Sequence, residues 1–270
     1  MADAYGSATN PVVLFMHGGG QTRFSWGQAA QRFAERGYYA VTLDLRGHGQ
    51  SQWSLTGSYD TQHFVDDFYE VIAQLPDTPQ LPIIVGASLG GVTGLLGIGN
   101  ASEACASHLV LVDVVPKMNE EGKARITGFM RDNVNGFESH EDAADAIAKY
   151  LPHRPRPKDS SGLKKNLRKG DDGKYYWHWD PEFMSEDKDI NEESTRVRME
   201  DAARKISIPV LLVKGTLSEI VDDEGLEHLR ELIPQVDVVD VDEAAHMVAG
   251  DNNDDFGSVV LDFLNKNNRL

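Results

Sequence analysis

Residues 81–98 read LPIIVGASLGGVTGLLGI, and this stretch carries the clearest structural signal in the chain. It begins with a short apolar run, Ile83–Val85, passes through a turn of small residues and ends in an apolar segment rich in glycine and leucine. An unbroken apolar run of this length is typical of a strand that is covered on both faces of a sheet. The stretch therefore predicts a buried strand, a sharp turn and a helix in direct succession.

Ser88 lies in the predicted turn, where Gly86 and Gly90 complete the pattern Gly-x-Ser-x-Gly. Between a strand and a helix, such a serine sits on a strained elbow that pushes its hydroxyl out of the sheet, and the small residues let strand and helix approach closely. The alternative is a glycine-rich turn that happens to contain a serine. The strand–turn–helix setting favours the first interpretation, so we predict that Ser88 is a nucleophile.

A second glycine cluster, HGGG at residues 17–20, follows the apolar run Val12–Met16. Glycines at this place let backbone N–H groups face the position where a carbonyl oxygen becomes negatively charged during acyl transfer. A dinucleotide-binding turn is the competing interpretation, but the pattern Gly-x-Gly-x-x-Gly is absent here and no ribose-binding acid follows at a matching place. We expect the backbone N–H groups of Gly19 and Leu89 to form an oxyanion hole.

His246 lies between the strand-like run Val236–Val241 and an amphipathic C-terminal segment. The chain has nine histidines, so a histidine late in the sequence is expected by chance. Its place directly between a strand and the final helix is not expected by chance. We predict that His246 is the general base that deprotonates Ser88.

Apolar runs alternate with amphipathic segments along most of the chain, which predicts an α/β domain with a mostly parallel sheet. The alternation stops at Pro116 and resumes near Ile208. Residues 117–207 contain no convincing strand and are rich in charge, so we predict a mostly helical lid there. Both flanks of that segment return to the same sheet, which makes residues 1–116 and 208–270 the core.

The motifs around Ser88 and at residues 17–20, together with His246, resemble the α/β-hydrolase superfamily, and Asp44–Ser51 (DLRGHGQS) adds the superfamily's D-x-R-G-H-G-x-S loop. The resemblance covers Pro11 to about Leu264 and is strongest to lid-bearing bacterial serine esterases, relatives that are often labelled epoxide hydrolase or peroxidase. It implies the α/β-hydrolase fold, with helices flanking the sheet. Only ten residues precede Pro11, so we expect the superfamily's N-terminal hairpin to be trimmed and the sheet to have about six strands.

The resemblance implies structural roles for Asp44, Arg46 and His48 and leaves two positions for the triad acid. Asp113 follows the run LVLV at the end of the strand after the nucleophile helix, and its segment DVVP resembles the D-I-A-P segment of small bacterial esterases. Glu219 lies one strand later, where related families more often carry the shorter aspartate. We favour Asp113 and keep Glu219 as the alternative.

The resemblance implies hydrolysis of a carboxylic ester, thioester or lactone through an acyl-enzyme, with no cofactor and no metal. A serine at position 88 argues against epoxide hydrolysis and dehalogenation, which use a carboxylate nucleophile in this fold. A cofactor-free perhydrolase or C–C hydrolase on the same triad is an alternative, and a non-catalytic ligand-binding member is another.

Three tryptophans are candidates for lining the substrate pocket. Trp177 and Trp179 lie in an aromatic stretch, YYWHWDP, within the predicted lid, and Trp26 follows the HGGG cluster. The alternatives are a small hydrophobic core of the lid for the first two and helix packing for Trp26.

The composition limits the partners of the chain. Its 26 Lys and Arg against 43 Asp and Glu give a net charge of −17, which disfavours nucleic acids and anionic membranes. The single cysteine, Cys105, excludes an internal disulfide, and no CxxC or HExxH spacing suggests a zinc site. No apolar stretch approaches the ~18 residues that span a bilayer, and no leader sequence is evident. We therefore expect a cytoplasmic enzyme with a small-molecule ester substrate, and the sequence does not indicate its oligomeric state.

Overall fold

The computed structural model describes residues 1–154, 156, 159–185, 192–246 and 248–267. These residues form nine strands: β1 (Ala2–Tyr5), β2 (Val12–Met16), β3 (Tyr39–Leu43), β4 (Ile83–Ala87), β5 (His108–Val112), β6 (Leu167–Lys169), β7 (Tyr175–Trp177), β8 (Val210–Gly215) and β9 (Val236–Val241). They also form nine α-helices: α1 (Gly27–Glu35), α2 (Thr61–Ile72), α3 (Leu89–Asn100), α4 (Glu120–Asp132), α5 (His140–Tyr150), α6 (Glu192–Ala203), α7 (Asp223–Leu232), α8 (Val248–Asp251) and α9 (Asn253–Asn267).

The main sheet has seven strands in the order β1-β3-β2-β4-β5-β8-β9. Every neighbouring pair is parallel except β1 and β3, which are antiparallel. The prediction of a mostly parallel α/β-hydrolase sheet is confirmed, but the expected count of about six strands omitted β1. That strand reads ADAY and half of its residues are exposed, so it has no apolar run that could reveal it in the sequence.

Helices cover both faces of the sheet, and consecutive strand residues point to opposite faces. Leu14 and Met16 of β2 pack into a cluster with α2, α3, α6 and α7, whereas Val13 and Phe15 pack into a second cluster with α1 and α9. This two-sided burial explains why the central strands read as unbroken apolar runs. Within the described ranges, no helix is long and apolar enough to cross a membrane.

Trp26 belongs to the second cluster and does not line a pocket, which corrects the expectation for this residue. Its side chain is only 1% exposed. The ring centroid lies 5.3 Å from that of Phe15 and 5.5 Å from that of Phe256. Trp26 therefore stabilises the packing of its own segment against β2 and α9, as the alternative interpretation predicted.

The segment between β5 and β8 contains helices α4, α5 and α6 and a short hairpin made of β6 and β7. The expectation that residues 117–207 hold no strand is therefore wrong. Each strand of the hairpin has only three residues, which is too short to produce a periodic pattern. Phe137, Ala143 and Leu167 form a small core in this segment, and Trp177 packs against it.

The loop after β3 is held by charged side chains that the sequence analysis expected to be structural. The buried carboxylate of Asp44 accepts hydrogen bonds from the backbone N–H groups of Arg23 and Gln50, at 2.7 and 2.9 Å. The guanidinium of Arg46 donates two hydrogen bonds of 2.6 Å to Asp67 on α2. These contacts fix the loop beside the HGGG cluster.

Candidate active site

The candidate residues follow the carboxyl ends of strands in the parallel part of the main sheet. Ser88 follows β4, and Asp113 follows β5, the neighbouring strand. Ala87 and Val112 are paired in the sheet, and the backbone N–H of Ser88 donates to the carbonyl of Val112 at 3.2 Å. Ser88 and Asp113 therefore lie one strand apart, each one residue beyond the last paired position.

Ser88 occupies the strained backbone that the sequence pattern predicts. Its φ of 46° and ψ of −114° lie in a region that non-glycine residues rarely adopt. A side chain at Gly86 would collide with the backbone of Gly90, and a side chain at Gly90 would collide with the backbone of Met16. Only glycine allows β4, the turn and α3 to pack this closely, and the tight turn keeps Ser88 partly exposed.

The backbone N–H groups of the HGGG loop differ in their hydrogen bonds within the described part of the chain. The N–H of Gly18 donates to Gln21 Oε1 at 3.1 Å, and that of Gly20 donates to His48 Nε2 at 3.0 Å. Among the described residues, nothing accepts from the Gly19 N–H. Leu89 is the first residue of α3, so its N–H has no partner within the helix. These two N–H groups are thus available to a ligand.

Two buried histidines, His17 and His48, hold this loop in place. His17 Nδ1 donates to the carbonyl of Gly18 at 2.8 Å, and its Nε2 accepts from the backbone N–H of Leu45 at 3.0 Å. His48 Nδ1 donates to the carbonyl of Arg46 at 2.9 Å, which leaves Nε2 to accept from the glycine loop. Burial lowers the pKa of His17 to about 4 and that of His48 to about 3. Both imidazoles are therefore neutral at pH 7 and serve as fixed hydrogen-bond bridges.

Asp113 and His246 form a hydrogen-bonded pair. His246 Nδ1 donates to Asp113 Oδ2 at 2.8 Å. The carboxylate is completely buried, whereas the imidazole is 19% exposed. A side chain at Gly215, the last residue of β8, would collide with the carbonyl of Ala244. The loop that carries His246 therefore crosses the end of β8 and reaches Asp113 at the end of β5.

Ser218 also contacts Asp113, and the sequence analysis did not identify it. Ser218 Oγ donates to Asp113 Oδ2 at 2.9 Å, and the backbone N–H of Gly215 donates to Oδ1 at 3.3 Å. The same hydroxyl accepts from the backbone N–H groups of Ile220 and Val221, so its proton is directed to Asp113. The sequence could have indicated Ser218 because it lies directly before Glu219, in a loop that was already considered for the triad acid.

Glu219 lies in a different environment from Asp113, so the alternative assignment does not fit the geometry. Its half-exposed carboxylate forms an ion pair with Arg125 of α4. Arg125 also donates to the backbone carbonyl of Tyr150 at 2.7 Å. Glu219 thus connects the loop after β8 to the segment that follows β5, and Asp113 alone of the two acids contacts His246.

Ser88 Oγ has no hydrogen-bond partner within the part of the chain that the structure describes. Hydrogen bonds between a nucleophile and its base are often long in unliganded sites and shorten when substrate binds.

The described residues also contain no group of three or more His, Cys, Asp or Glu side chains that could hold a metal ion. A cavity of about 460 Å³ lies between the loop after β3 and α2, and neither Ser88, Asp113 nor His246 lines it.

Three side chains from the segment between β5 and β8 lie against the glycine loop. A methyl group on Gly19 would lie 3.3 Å from Phe183 Cε1, and one on Gly20 would lie 3.0 Å from Met130 Cε and 3.7 Å from Trp179 Nε1. Trp179 was a predicted pocket residue, whereas Phe183 and Met130 were not. Phe183 lies two residues after the aromatic stretch, which was a usable signal, but Met130 lies on an ordinary helix and gave none.

Trp177, the other predicted pocket residue of this segment, is a packing residue. Its ring centroid lies 5.2 Å from that of Phe137 and 6.1 Å from that of Phe129. These contacts favour the alternative of a small hydrophobic core, while the residue stays partly exposed and its pocket role stays a prediction. Tyr175 and Trp177 lie two positions apart in β7 and therefore share the face that packs on that core. Trp179 lies beyond the end of the strand and reaches the HGGG loop.

Comparison with known proteins gives a consistent picture. A family model described as alpha/beta hydrolase fold matches residues 11–252. An esterase of Mycobacterium tuberculosis is 30% identical over 248 residues, which cover 89% of this chain and 78% of that protein. A solved structure of this esterase has a TM-score of 0.79 and 28% identity, covering 98% of this chain and 88% of the other.

Two further similarities are more distant. The sn-1-specific diacylglycerol lipase of Mus musculus is 26% identical over 268 residues, covering 96% of this chain and 82% of that protein. The structure of E-2-(acetamidomethylene)succinate hydrolase has a TM-score of 0.81 at 22% identity, covering 98% of this chain and 94% of the other, and this likeness concerns the fold alone.

Because His17 and His48 are neutral in the folded protein, we expect the free energy of unfolding to fall as the pH becomes acidic. The unfolded chain binds a proton at each histidine near pH 6.5, whereas folded His48 resists protonation until about pH 3. The unfolded state therefore binds more protons between these values, and the stability that neutral His48 contributes above pH 6.5 is lost as the pH falls through this window. The slope for one such group approaches about 1.4 kcal/mol per pH unit.

Urea unfolding of wild type and His48→Gln measures this contribution, because glutamine retains an acceptor for the Gly20 N–H but does not titrate. We expect the stability advantage of wild type to shrink steadily as the pH is lowered below 6.5. Tyr69→Phe, which removes a hydrogen bond of 2.8 Å to the carbonyl of Gly97 but no imidazole, is the control and leaves the slope unchanged. Equal slopes for wild type and His48→Gln would show that folded His48 is protonated like an exposed histidine.

Proposed function

The chain belongs to the α/β-hydrolase family, and we propose that it is a serine esterase that cleaves a carboxylic ester, thioester or lactone of a small molecule. Ser88 is the nucleophile, His246 the general base and Asp113 the triad acid. The hydrogen bond between His246 Nδ1 and Asp113 Oδ2, one strand away from the strained Ser88, is the observation that carries this proposal.

The pairing determines which imidazole nitrogen reacts. Because Nδ1 donates to Asp113, Nε2 is unprotonated and accepts the proton of Ser88 Oγ as the oxygen attacks the carbonyl carbon. The buried carboxylate offsets the positive charge of the imidazolium that forms. His246 then returns this proton to the leaving alkoxide or thiolate, and the acyl group remains on Ser88. A water molecule that loses a proton to His246 releases the acid and regenerates the serine.

The oxyanion that develops on the substrate is stabilised by the N–H groups of Gly19 and Leu89. Neither donor has an acceptor among the described residues. Gly18 and Gly20, which flank Gly19, are fixed by Gln21 and His48. Such donors do not need to reorganise during the reaction, and the loss of one typically reduces the rate by about a hundredfold or more. This arrangement supports acyl transfer as the reaction class.

Residues 117–207 act as the lid in this proposal, over a core of residues 1–116 and 208–270. The contacts of Met130, Trp179 and Phe183 with Gly19 and Gly20 support that role, since they bring the segment to the edge of the oxyanion hole. Trp177, by contrast, contributes to the stability of the lid.

Ser88→Ala is expected to reduce hydrolysis of p-nitrophenyl esters, acyl-CoAs and lactones by roughly a thousandfold or more, because the nucleophile is lost. The fold should survive, since alanine is no larger than serine at the crowded elbow. A fluorophosphonate probe should label wild type at Ser88, as located by peptide mass spectrometry, and should not label the variant. Ser258→Ala, on α9, is the matched control and retains full activity.

Residual activity of Ser88→Ala within tenfold of wild type would contradict the proposed nucleophile. A wild-type protein that hydrolyses none of these esters and is not labelled would instead favour the non-catalytic ligand-binding alternative.

The assignment of the acid is tested by a pair of isosteric changes. Asp113→Asn should reduce kcat by up to about 10⁴-fold, because an amide neither offsets the imidazolium charge nor selects the correct tautomer. Glu219→Gln should leave kcat within about threefold, since the ion pair that it breaks is half-exposed. Thermal unfolding of both variants checks that they are folded. A larger loss of kcat in Glu219→Gln than in Asp113→Asn would reverse the assignment.

A further inference from the structure

Residues 178–183, here called the strap, cross the loop after β3 and are fixed to it by backbone hydrogen bonds. The N–H of Gly49 donates to the carbonyl of His178 at 2.6 Å, and the N–H of Asp180 donates to the carbonyl of Gly47 at 2.8 Å. His48 and Trp179 form an isolated antiparallel bridge between these contacts. The strap is therefore joined to the core as a short additional piece of sheet.

A buried polar contact reinforces the strap. The hydroxyl of Tyr59 donates to Asp180 Oδ2 at 2.5 Å, and both side chains are almost completely buried. Burial and the neighbouring carboxylate raise the pKa of Tyr59, so its hydroxyl remains a donor at neutral pH. Moving the strap away from the core would leave a buried carboxylate without this donor, which is costly.

Asp180 also determines where Phe183 lies. Asp180 Oδ1 accepts from the backbone N–H of Glu182 at 3.0 Å, and its carbonyl accepts from the N–H of Phe183 at 2.9 Å. These hydrogen bonds begin a single 3₁₀ turn, Pro181–Met184. Phe183 is consequently held at a fixed distance from the Tyr59–Asp180 contact.

The ring of Phe183 packs against three other rings and is only partly buried. Its centroid lies 4.9 Å from that of His48, 5.9 Å from that of Tyr59 and 6.2 Å from that of Phe64, with edge-on geometry in each case. The residue remains partly exposed, and its Cε1 and Cζ atoms lie against Gly19. The ring cannot move backwards without displacing buried aromatic side chains.

We infer that Phe183 determines substrate size by limiting the group that lies beside the oxyanion hole, with Tyr59 and Asp180 as its positioning residues. This inference rests on the proposed function. A carbonyl oxygen that accepts from the Gly19 N–H lies about 3 Å from that nitrogen, so one of the two groups on the carbonyl carbon meets the ring. The protein therefore prefers esters in which that group is short.

Two ester series distinguish the acyl side from the alcohol side. The first series comprises p-nitrophenyl acetate, butyrate and octanoate, and the second comprises ethyl, butyl and octyl acetate followed by pH-stat titration. For each series, the ratio of interest is kcat/KM for the longest ester divided by kcat/KM for the shortest. In one of the two series, Phe183→Ala should raise this ratio by about tenfold or more, because space for several methylene groups becomes available. Phe183→Leu should give an intermediate ratio. The exposed Phe24→Ala is the control and should leave both ratios unchanged.

The positioning role has a separate readout. Tyr59→Phe removes the hydroxyl that Asp180 accepts from and should shift the same ratio in the same direction by about threefold, through a looser strap. Tyr69→Phe, which removes a hydroxyl that donates to the carbonyl of Gly97 at 2.8 Å, is the matched control and should not shift it. A lower melting temperature of Tyr59→Phe with an unchanged ratio would reduce Tyr59 to a structural role and overturn this part of the inference.

The outcomes separate the inference from the function on which it rests. Hydrolysis that depends on Ser88, combined with unchanged ratios of both series in Phe183→Ala, overturns the inference and leaves the esterase intact. Absence of hydrolysis that depends on Ser88 in every substrate overturns both.

Discussion

The 2.8 Å hydrogen bond between His246 and Asp113 is the interaction on which the arrangement of this site depends. A buried carboxylate is costly unless it is fully hydrogen-bonded, and Asp113 meets that requirement through His246, Ser218 and the backbone of Gly215. These partners come from the ends of β8 and β9, so the carboxylate connects three neighbouring strands. Removing the carboxylate would leave the imidazole of His246 without this partner.

In the HGGG loop, backbone groups are fixed by hydrogen bonds in the same way as the carboxylate of Asp113. Gly18 and Gly20 donate to fixed side chains, and the carbonyl of His17 accepts from the N–H of Gly90 at 3.1 Å. Neutral histidines are suited to this task because one ring nitrogen donates while the other accepts. Both neighbours of Gly19 are thereby fixed, which supports the proposed role of its N–H in the oxyanion hole.

The sequence predicts best what depends on local geometry. The elbow at Ser88 could be predicted because the tight turn itself requires glycine two residues before and two residues after the serine. The place of His246 could be predicted because it follows directly from the order of strand, loop and final helix. The parallel sheet could be predicted because two-sided burial leaves unbroken apolar runs. Strand β1 could not be, since it pairs through its backbone at the edge of the sheet and needs no apolar side chains.

What could not be predicted depends on contacts between distant parts of the chain. Spacing alone does not reveal whether Asp113 or Glu219 reaches His246, because the path of the His246 loop over β8 decides it. Trp26 was indistinguishable from a pocket residue until its packing partners were known. Phe183 acquires its place through Tyr59, which lies 121 positions away from Asp180 in the sequence.

The crystal structure of a phosphonate adduct is the most direct test of the central claim. We expect a covalent bond from Ser88 Oγ to phosphorus, with one phosphonyl oxygen about 3 Å from the backbone nitrogens of both Gly19 and Leu89. His246 should remain hydrogen-bonded to Asp113 in that complex. An adduct on another residue would contradict the role of Ser88 as the nucleophile, and a phosphonyl oxygen directed away from both N–H groups would contradict the oxyanion hole.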